Sequence, residues 1–395
     1  MQHSALLCCF VAASLVGDAA VGAFSVKEAE SGVPVIPTGD LKLFDPNESA
    51  LLQGTNVLSE RVSSGSKFTI APSQTIVDRP PAGAAVRDAQ HFLEHLDAHG
   101  ELPLNFAKPN QPVTATVLGR TKLIDDDAPG DIEHVILKLP EGFHYVEGQS
   151  LSLIPPGVDA KSGRKHKPRL YSIASTRYGD VLDGNTISLC VRRAEYVDPV
   201  TGEKDPAKQG VCSNFLCDVR AGDEVSVAGP VGKTMLLPKD SNTDIIMIAT
   251  GTGIAPFRGF MHRLFMENTL ARHMFGGRAW LVLGVPVTGG LLYKEEFDCM
   301  QRNAGADQLR IDYAISREMT AKTGGKMYVQ NVIAENGREV FDRLDNGAVI
   351  YFCGLKGMMP GILDSLEEVA ASQGIVWSEK LAELKKNHQW HVEVY

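Results

Sequence analysis

One stretch limits what this chain can fold into more than any other: DIIMIAT (Asp244–Thr250), followed at once by GTGIAP (Gly251–Pro256). A nearly unbroken apolar run is a strand with both faces covered. The glycine turn ends it, and Pro256 suits the first turn of a helix. The same rhythm continues with AWLVLGV (Ala279–Val285), a helical LLYKEEFDCMQR (Leu291–Arg302), LRIDYAIS (Leu309–Ser316), AVIYFCG (Ala348–Gly354) and a helical ILDSLEEVAASQ (Ile362–Gln373). Strands alternating with helices predict a doubly wound parallel sheet, with ligands outside the carboxyl ends of its strands.

Before about Pro238 the pattern differs. VTATVL (Val113–Leu118), HVILKL (His134–Leu139), QSLSLI (Gln149–Ile154), TISLCV (Thr186–Val191) and DEVSVAG (Asp223–Gly229) are short β-type runs separated by turns. Such runs predict an antiparallel barrel or sandwich. A chain of 395 residues suits two domains plus extensions. The boundaries fall at 105–240 for the first domain and 241–395 for the second. The formal charge of −9 argues against a nucleic-acid binder working by bulk charge. Cys212 and Cys217 have a spacing found in one part of an iron–sulfur pattern, but the next cysteine that pattern needs is missing after Asp218-Val219. No metal site is expected, and the seven cysteines read as separate thiols.

Several motifs carry chemistry. GTGIAP is either a structural turn or a phosphate cradle at a helix start. Ser316, Arg317, Lys326 and Tyr328 follow the strand Leu309–Ser316. They form either a solvated charged loop or a pocket for an adenosine 2′-phosphate, which would select NADP over NAD. Cys353 is a small core hydrophobe, a contact for a ligand's reactive ring, or a nucleophile that would need a base nearby. The alternating WHVEVY (Trp390–Tyr395) predicts a docked terminal strand. RLYSIAS (Arg169–Ser175) sets a cation, a flat ring and hydroxyls in one strand.

Taken in order, RLYSIAS, GVCSNFLCD (Gly210–Asp218), GPVGK (Gly229–Lys233), GTGIAPFRG (Gly251–Gly259), LLYKEEF (Leu291–Phe297), the Ser/Arg/Lys/Tyr set, CGLKGM (Cys353–Met358) and WHVEVY closely resemble plant-type plastid ferredoxin–NADP reductases from about Asn105 to the end. The resemblance implies an FAD-binding antiparallel β-barrel followed by an NADP-binding α/β domain. It implies electron transfer between two one-electron ferredoxins and NADP(H), by hydride exchange between FAD N5 and nicotinamide C4.

The resemblance also assigns residues. Arg169 meets the FAD pyrophosphate, Tyr171 packs on one face of the isoalloxazine and Ser172 lies near N5. Gly210, Val211, Cys212 and Ser213 form the loop around the FAD phosphates, Arg192 touches the nucleotide and Tyr196 stacks on adenine. Leu170, Cys190, Val191 and Leu355 complete the cofactor set. Thr252 and Gly253 meet the NADP pyrophosphate, and Ser316, Arg317, Lys326 and Tyr328 the 2′-phosphate. Cys353 positions nicotinamide, Glu393 serves proton supply, and Tyr395 stacks on the other flavin face and must leave for nicotinamide. Ser172, Cys353, Glu393 and Tyr395 are thus the expected catalytic group.

VDPVTGEKDPAKQ (197–209) is longer than the usual plant loop and, being charged and proline-rich, is expected to be exposed. Docking of an acidic ferredoxin on a chain of −9 requires a local positive face, with Lys161, Arg164, Lys165, Lys167, Lys385 and Lys386 as candidates. Peripheral attachment to thylakoids is a further expectation, without a transmembrane segment in the mature chain. Two rival readings are an NADPH-dependent reductase of another carrier, such as a cytochrome, and a low-turnover flavoprotein scaffold or redox sensor.

At the amino end, ALLCCFVAASLV (Ala5–Val16) has the length of a signal-peptide core and is too short to span a bilayer. The Gly22-Ala23-Phe24 junction resembles the two-part leaders of plastids acquired by secondary endosymbiosis. Residues 1–23 are therefore expected to be a signal peptide, and 24–104 a transit peptide and irregular extension, with a short helix over Val86–His99.

Overall fold

The computed structural model describes residues 93–94, 102–159 and 162–395. The expected signal peptide, nearly all of the transit segment, Lys161 and all but Leu93 and Glu94 of the short helix lie outside them.

Six strands form the first sheet: β1 (Val113–Lys122), β2 (Ile132–Lys138), β3 (Ser150–Ile154), β4 (Arg169–Ser172), β5 (Thr186–Arg192) and β6 (Glu224–Val231). Their order is β4-β3-β6-β1-β2-β5, with every pairing antiparallel. An Ile173–Leu189 bridge and a bond from Ala174 N to Ser188 O (2.8 Å) join the end of β4 to β5 and close the sheet into a barrel. Ala115, Val117, Val135, Leu137, Leu151, Leu153, Ile187, Leu189, Val225 and Val227 fill the interior. Ile132 and Cys190 point the other way, into the core of the second domain. Both faces of β2 and β5 are covered, every residue but the last of each being buried. Helix α1 (Val211–Asp218) packs Cys212, Leu216 and Cys217 against the barrel.

The second sheet contains β7 (Ile245–Thr250), β8 (Ala279–Val285), β9 (Leu309–Ile315), β10 (Val349–Gly354) and β11 (Trp390–Val394), in the order β11-β10-β7-β8-β9. All its pairings are parallel. Alternate residues of β7 serve different layers. Ile245, Met247 and Ala249 join α2 (Ala255–Met261) and α4 (Lys294–Ala304). Ile246 and Ile248 join α5 (Val329–Glu335), α6 (Gly337–Asp345), α7 (Met359–Ser372) and α8 (Trp377–Lys386). A short α3 (Leu270–Met274) precedes β8. The chain winds outward from β7 through β8 and β9, then crosses to β10 and β11 on the other side. The switch point lies between the carboxyl ends of β7 and β10, where such sheets take ligands.

The helix expected from Leu291 starts only at Lys294. Tyr293 adopts a left-handed φ of 57°, and its buried phenol reaches His134 Nδ1 at 2.9 Å in the barrel. A side chain drawn across the domain boundary sets the helix start.

Candidate active site

The GTGIAP turn is a short 3₁₀ segment (Gly251–Ile254) leading into α2. A Cβ on Gly253 would lie 2.2 Å from Cys353 O, so only glycine lets this turn lie against the end of β10. Leu355 N donates to Thr250 Oγ1 (3.1 Å), and Leu355 is exposed. The carboxyl ends of β7 and β10 are thus stitched together.

The terminal strand brings Glu393 level with Cys353. Barrel residues meet them there: Ser150 Oγ and Ser172 Oγ donate to Glu393 Oε1 at 3.0 and 3.2 Å. Burial pushes the Cys353 thiol well above its ordinary range, Glu393 adds to that, and a hydrogen bond from Ser172 works against it. A thiol kept protonated is a contact group rather than a nucleophile. Ser172, Cys353 and Glu393 therefore form one constellation built from both domains. Ser150 belongs to it too and was not predicted; it sits directly across from Ser172 in the β3–β4 register.

The two expected stacking rings belong to different domains. Burial raises the Tyr171 phenol, which lies beside Cys212 and Arg169. Tyr395 is held by backbone bonds from Tyr395 N to Gly354 O (3.0 Å) and from Lys356 N to Tyr395 O (2.9 Å). Its phenol is hydrogen-bonded to Thr252 Oγ1 at 2.6 Å and lies in electrostatic reach of Cys353, Cys190 and Arg192. The residue as a whole is 59 % exposed, but burial is the main effect raising its phenol.

Next to Tyr171, α1 begins at Gly210 with no side-chain cap, leaving its first amides to other partners. A Cβ on Gly210 would come within 2.5 Å of Ala194 Cβ and 2.6 Å of Ser213 Oγ. Ser213 Oγ accepts from Ala194 N at 3.1 Å. The exposed Arg169 donates to Lys167 O (2.9 Å) and Pro168 O (3.2 Å). Leu170 is exposed beside it, and Val191 is buried next to Arg192 on β5. The Arg192 side chain lies over Gly130, just before β2. A flat ring, a guanidinium and uncapped helix amides around Val211–Ser213 are the donor set for a flavin bearing a pyrophosphate, so the residues present fit FAD.

Tyr196 stands at the start of the 197–209 segment. Gln209 bonds both sides of its backbone, at 3.1 Å (Tyr196 N to Oε1) and 2.8 Å (Nε2 to Tyr196 O). The segment is a hairpin closed by a Val197–Lys204 bridge, exposed as expected, with Val200 at 92 %.

The four residues expected around a 2′-phosphate gather at the carboxyl end of β9. Ser316 N and Arg317 N donate to Val285 O (3.0 Å) and Pro286 O (2.9 Å). Lys326 is bridged to Thr320, and Tyr328 leads into α5. Arg317, Lys326 and Tyr328 are exposed and open to a ligand.

A second group of residues was not predicted. Arg258, 0 % exposed on α2, donates to Asp180 Oδ1 (2.8 Å), Ala174 O (2.9 Å) and Glu296 (2.9 and 3.1 Å). Asp180 also pairs with His134 Nε2 (2.7 Å), and Glu296 with His262 Nε2 (2.8 Å). Burial pushes the Glu296 carboxyl up, but Arg258 and His262 overcome it and hold it at about 2. Asp180 is likewise held far below its ordinary range by Arg258 and His134 against the effect of burial. Arg258 lies inside the quoted GTGIAPFRG, and a cation in an otherwise apolar helix was the available signal. Beside this network, Arg177 pairs with Glu147 (2.8 Å) and bonds Leu93 O (3.1 Å), while Glu94 accepts from Leu270 N (2.7 Å) and pairs with Arg263 (3.4 Å). Leu93 and Glu94 of the extension thus bridge barrel and α/β domain, and Arg263 also reaches Glu147 of the barrel directly (3.6 Å).

Comparison with known proteins agrees with this geometry. Residues 247–364 match the oxidoreductase NAD-binding domain model. The chain is 55 % identical over 302 residues to the chloroplastic root isozyme of ferredoxin–NADP reductase of Oryza sativa subsp. japonica, covering 76 % of this chain and 79 % of that protein. It is 51 % identical over 298 residues to the chloroplastic ferredoxin–NADP reductase of Chlamydomonas reinhardtii, covering 75 % and 84 %. The solved ferredoxin–NADP⁺ reductase of Plasmodium falciparum superposes with a TM-score of 0.58 at 25 % identity, covering 74 % of this chain and 100 % of that one. With its barrel, its switch-point site and these relatives, the chain belongs to the plant-type ferredoxin–NADP reductase family.

Proposed function

We propose that this protein exchanges electrons between ferredoxin and NADP(H) at the seam where Ser172, Cys353 and Glu393 meet. The observation that carries the residue assignment is the bonding of barrel serines 150 and 172 to Glu393 of the terminal strand. FAD, when bound, supplies chemistry no side chain has: it takes a hydride and passes electrons on singly. Arg169 and the amides at the start of α1 hold its pyrophosphate, and Tyr171 backs its ring. Ser172 brings its hydroxyl oxygen to the reacting region, its proton committed to Glu393. Glu393, itself partly exposed, orients the hydroxyls of Ser172 and the buried Ser150 and passes a proton between the buried site and the surface. Cys353, kept as a thiol, supports the nicotinamide without attacking it. Thr252 and Gly253 receive the NADP pyrophosphate, and Arg317 and Lys326 its 2′-phosphate. Tyr395 covers the site until nicotinamide enters.

The ferredoxin face is the exposed hairpin carrying Arg164, Lys165 and Lys167, with Lys385 and Lys386 at the end of α8. A local positive patch overcomes the repulsion expected between two acidic proteins. The protein works in a plastid, in the stroma or at the thylakoid surface. The chloroplastic relatives support this location. Among the described residues no helix is long and apolar enough to cross a membrane.

The test uses purified protein with NADPH and cytochrome c. Reduction only after ferredoxin is added supports this reading, whereas direct reduction of the cytochrome favours a reductase of another carrier. Equal rates with NADH would remove the 2′-phosphate assignment.

A further inference from the structure

Tyr196 is served by a side chain that no role above uses. Lys208 Nζ sits 4.4 Å from the centre of the Tyr196 ring, within cation–π range. It is not there by chance of an unrestrained surface chain. Asp205 pairs with its ammonium at 3.2 Å and accepts from Ala207 N at 3.0 Å, which fixes the short 3₁₀ turn (Pro206–Lys208) carrying it. The next residue, Gln209, bonds Tyr196 N and O and also Asp205 O at 2.8 Å. One end of the 197–209 segment thus grips the backbone of Tyr196, its ring and the turn that holds the gripping lysine.

We propose that this segment is a flavin-selecting clamp, in which Lys208 and Gln209 position the Tyr196 ring to take the adenine of FAD. The proposal rests on the reading above that Tyr196 holds that adenine. A cation against an aromatic ring fixes the ring's tilt and polarises its π-cloud, so an adenine finds a prepared surface. The clamp acts only on the adenylate half of the cofactor. It therefore discriminates FAD from FMN, which has the same reactive ring and no adenine. Lys208 is a positioning residue and takes no part in hydride transfer.

The test is reconstitution of the deflavinated full chain, followed by flavin fluorescence, with FAD and FMN titrated separately. Lys208→Met is expected to weaken FAD binding about two- to fivefold and leave FMN binding unchanged. Lys208→Arg keeps a cation over the ring and is expected to retain wild-type FAD affinity. Gln209→Ala, which frees the backbone of Tyr196, is expected to weaken FAD selectively as well. Equal loss of FAD and FMN affinity in Lys208→Met would mean general damage to the fold and overturn the clamp. Unchanged or tighter FAD binding would also overturn it. Tyr196→Ala separates the two levels: if it leaves FAD affinity intact, the adenine assignment fails, and if it weakens FAD while Lys208→Met does not, only the clamp fails.

Discussion

The two domains meet along two seams built in opposite ways. At one, Arg258, Asp180, Glu296, His134 and His262 form a largely buried network of ion pairs and hydrogen bonds that satisfy one another. At the other, Ser150 and Ser172 touch Glu393, and the exposed Tyr395 is held to Thr252 at the strand ends. Buried ion networks are costly to desolvate and contribute little net stability against an apolar alternative, but they tolerate no loss of a partner. The first seam therefore fixes the angle between the domains. The second is left thin, so ligands can enter between rigid bodies. Pre-organisation at the reacting atoms depends on a hinge that does not move.

The largest expected effect comes from breaking the closed seam. Arg258→Leu strands Asp180 and Glu296 and should cost about 3–5 kcal/mol of stability, read as a large fall in the thermal midpoint. Adding Asp180→Asn and Glu296→Gln should restore part of it; no recovery would mean that charge is not what the seam depends on.

The closed seam also gives stability a pH dependence. Glu296 is held at about 2, below its ordinary 4.5, so its stabilisation is present above pH 4.5 and is lost as the pH falls toward 2. Burial and Arg258 hold His262 below its ordinary 6.5, so its contribution is complete above pH 6.5 and erodes on acidification. Both act in the same direction. Denaturation midpoints should fall as the pH drops below 6.5, and Glu296→Gln should flatten the limb below pH 4.5.

Nucleotide choice should follow the open side alone. Replacing both Arg317 and Lys326 by alanine should reduce the preference for NADPH over NADH by roughly tenfold to a hundredfold for each charge-assisted bond lost. The thermal midpoint should hold, since both side chains are exposed.

The smallest expected change is in docking. Lys165→Glu with Lys167→Glu should raise the ferredoxin KM several-fold and reduce its salt dependence, with NADPH kinetics unaltered. Unchanged ferredoxin kinetics would move the docking face elsewhere.

How much of this was legible in sequence differs between the seams. GTGIAP, RLYSIAS and WHVEVY carry their chemistry in consecutive residues; the first and last meet because parallel strands end together, and the barrel packs RLYSIAS against them through Ser172 and Glu393. The closed seam was not legible. Arg258, Asp180, His134 and Glu296 lie far apart in the chain, and an isolated Asp or His reads as solvated until its partner is known. Ser150 was missed for a related reason: only the β3–β4 register brings it to Glu393. The late start of α4 depended on Tyr293 reaching His134, which local propensity does not encode.

The division of labour between the seams is tested most directly by single-turnover reduction of the bound flavin by NADPH, measured alongside thermal midpoints. Ser172→Val should slow reduction about tenfold with the midpoint unchanged, and Glu296→Gln should lower the midpoint with the reduction rate unchanged. If Ser172→Val reduced its flavin at the wild-type rate, or Glu296→Gln slowed the step as much as the serine variant, the separation of a chemical seam from a structural one would be contradicted.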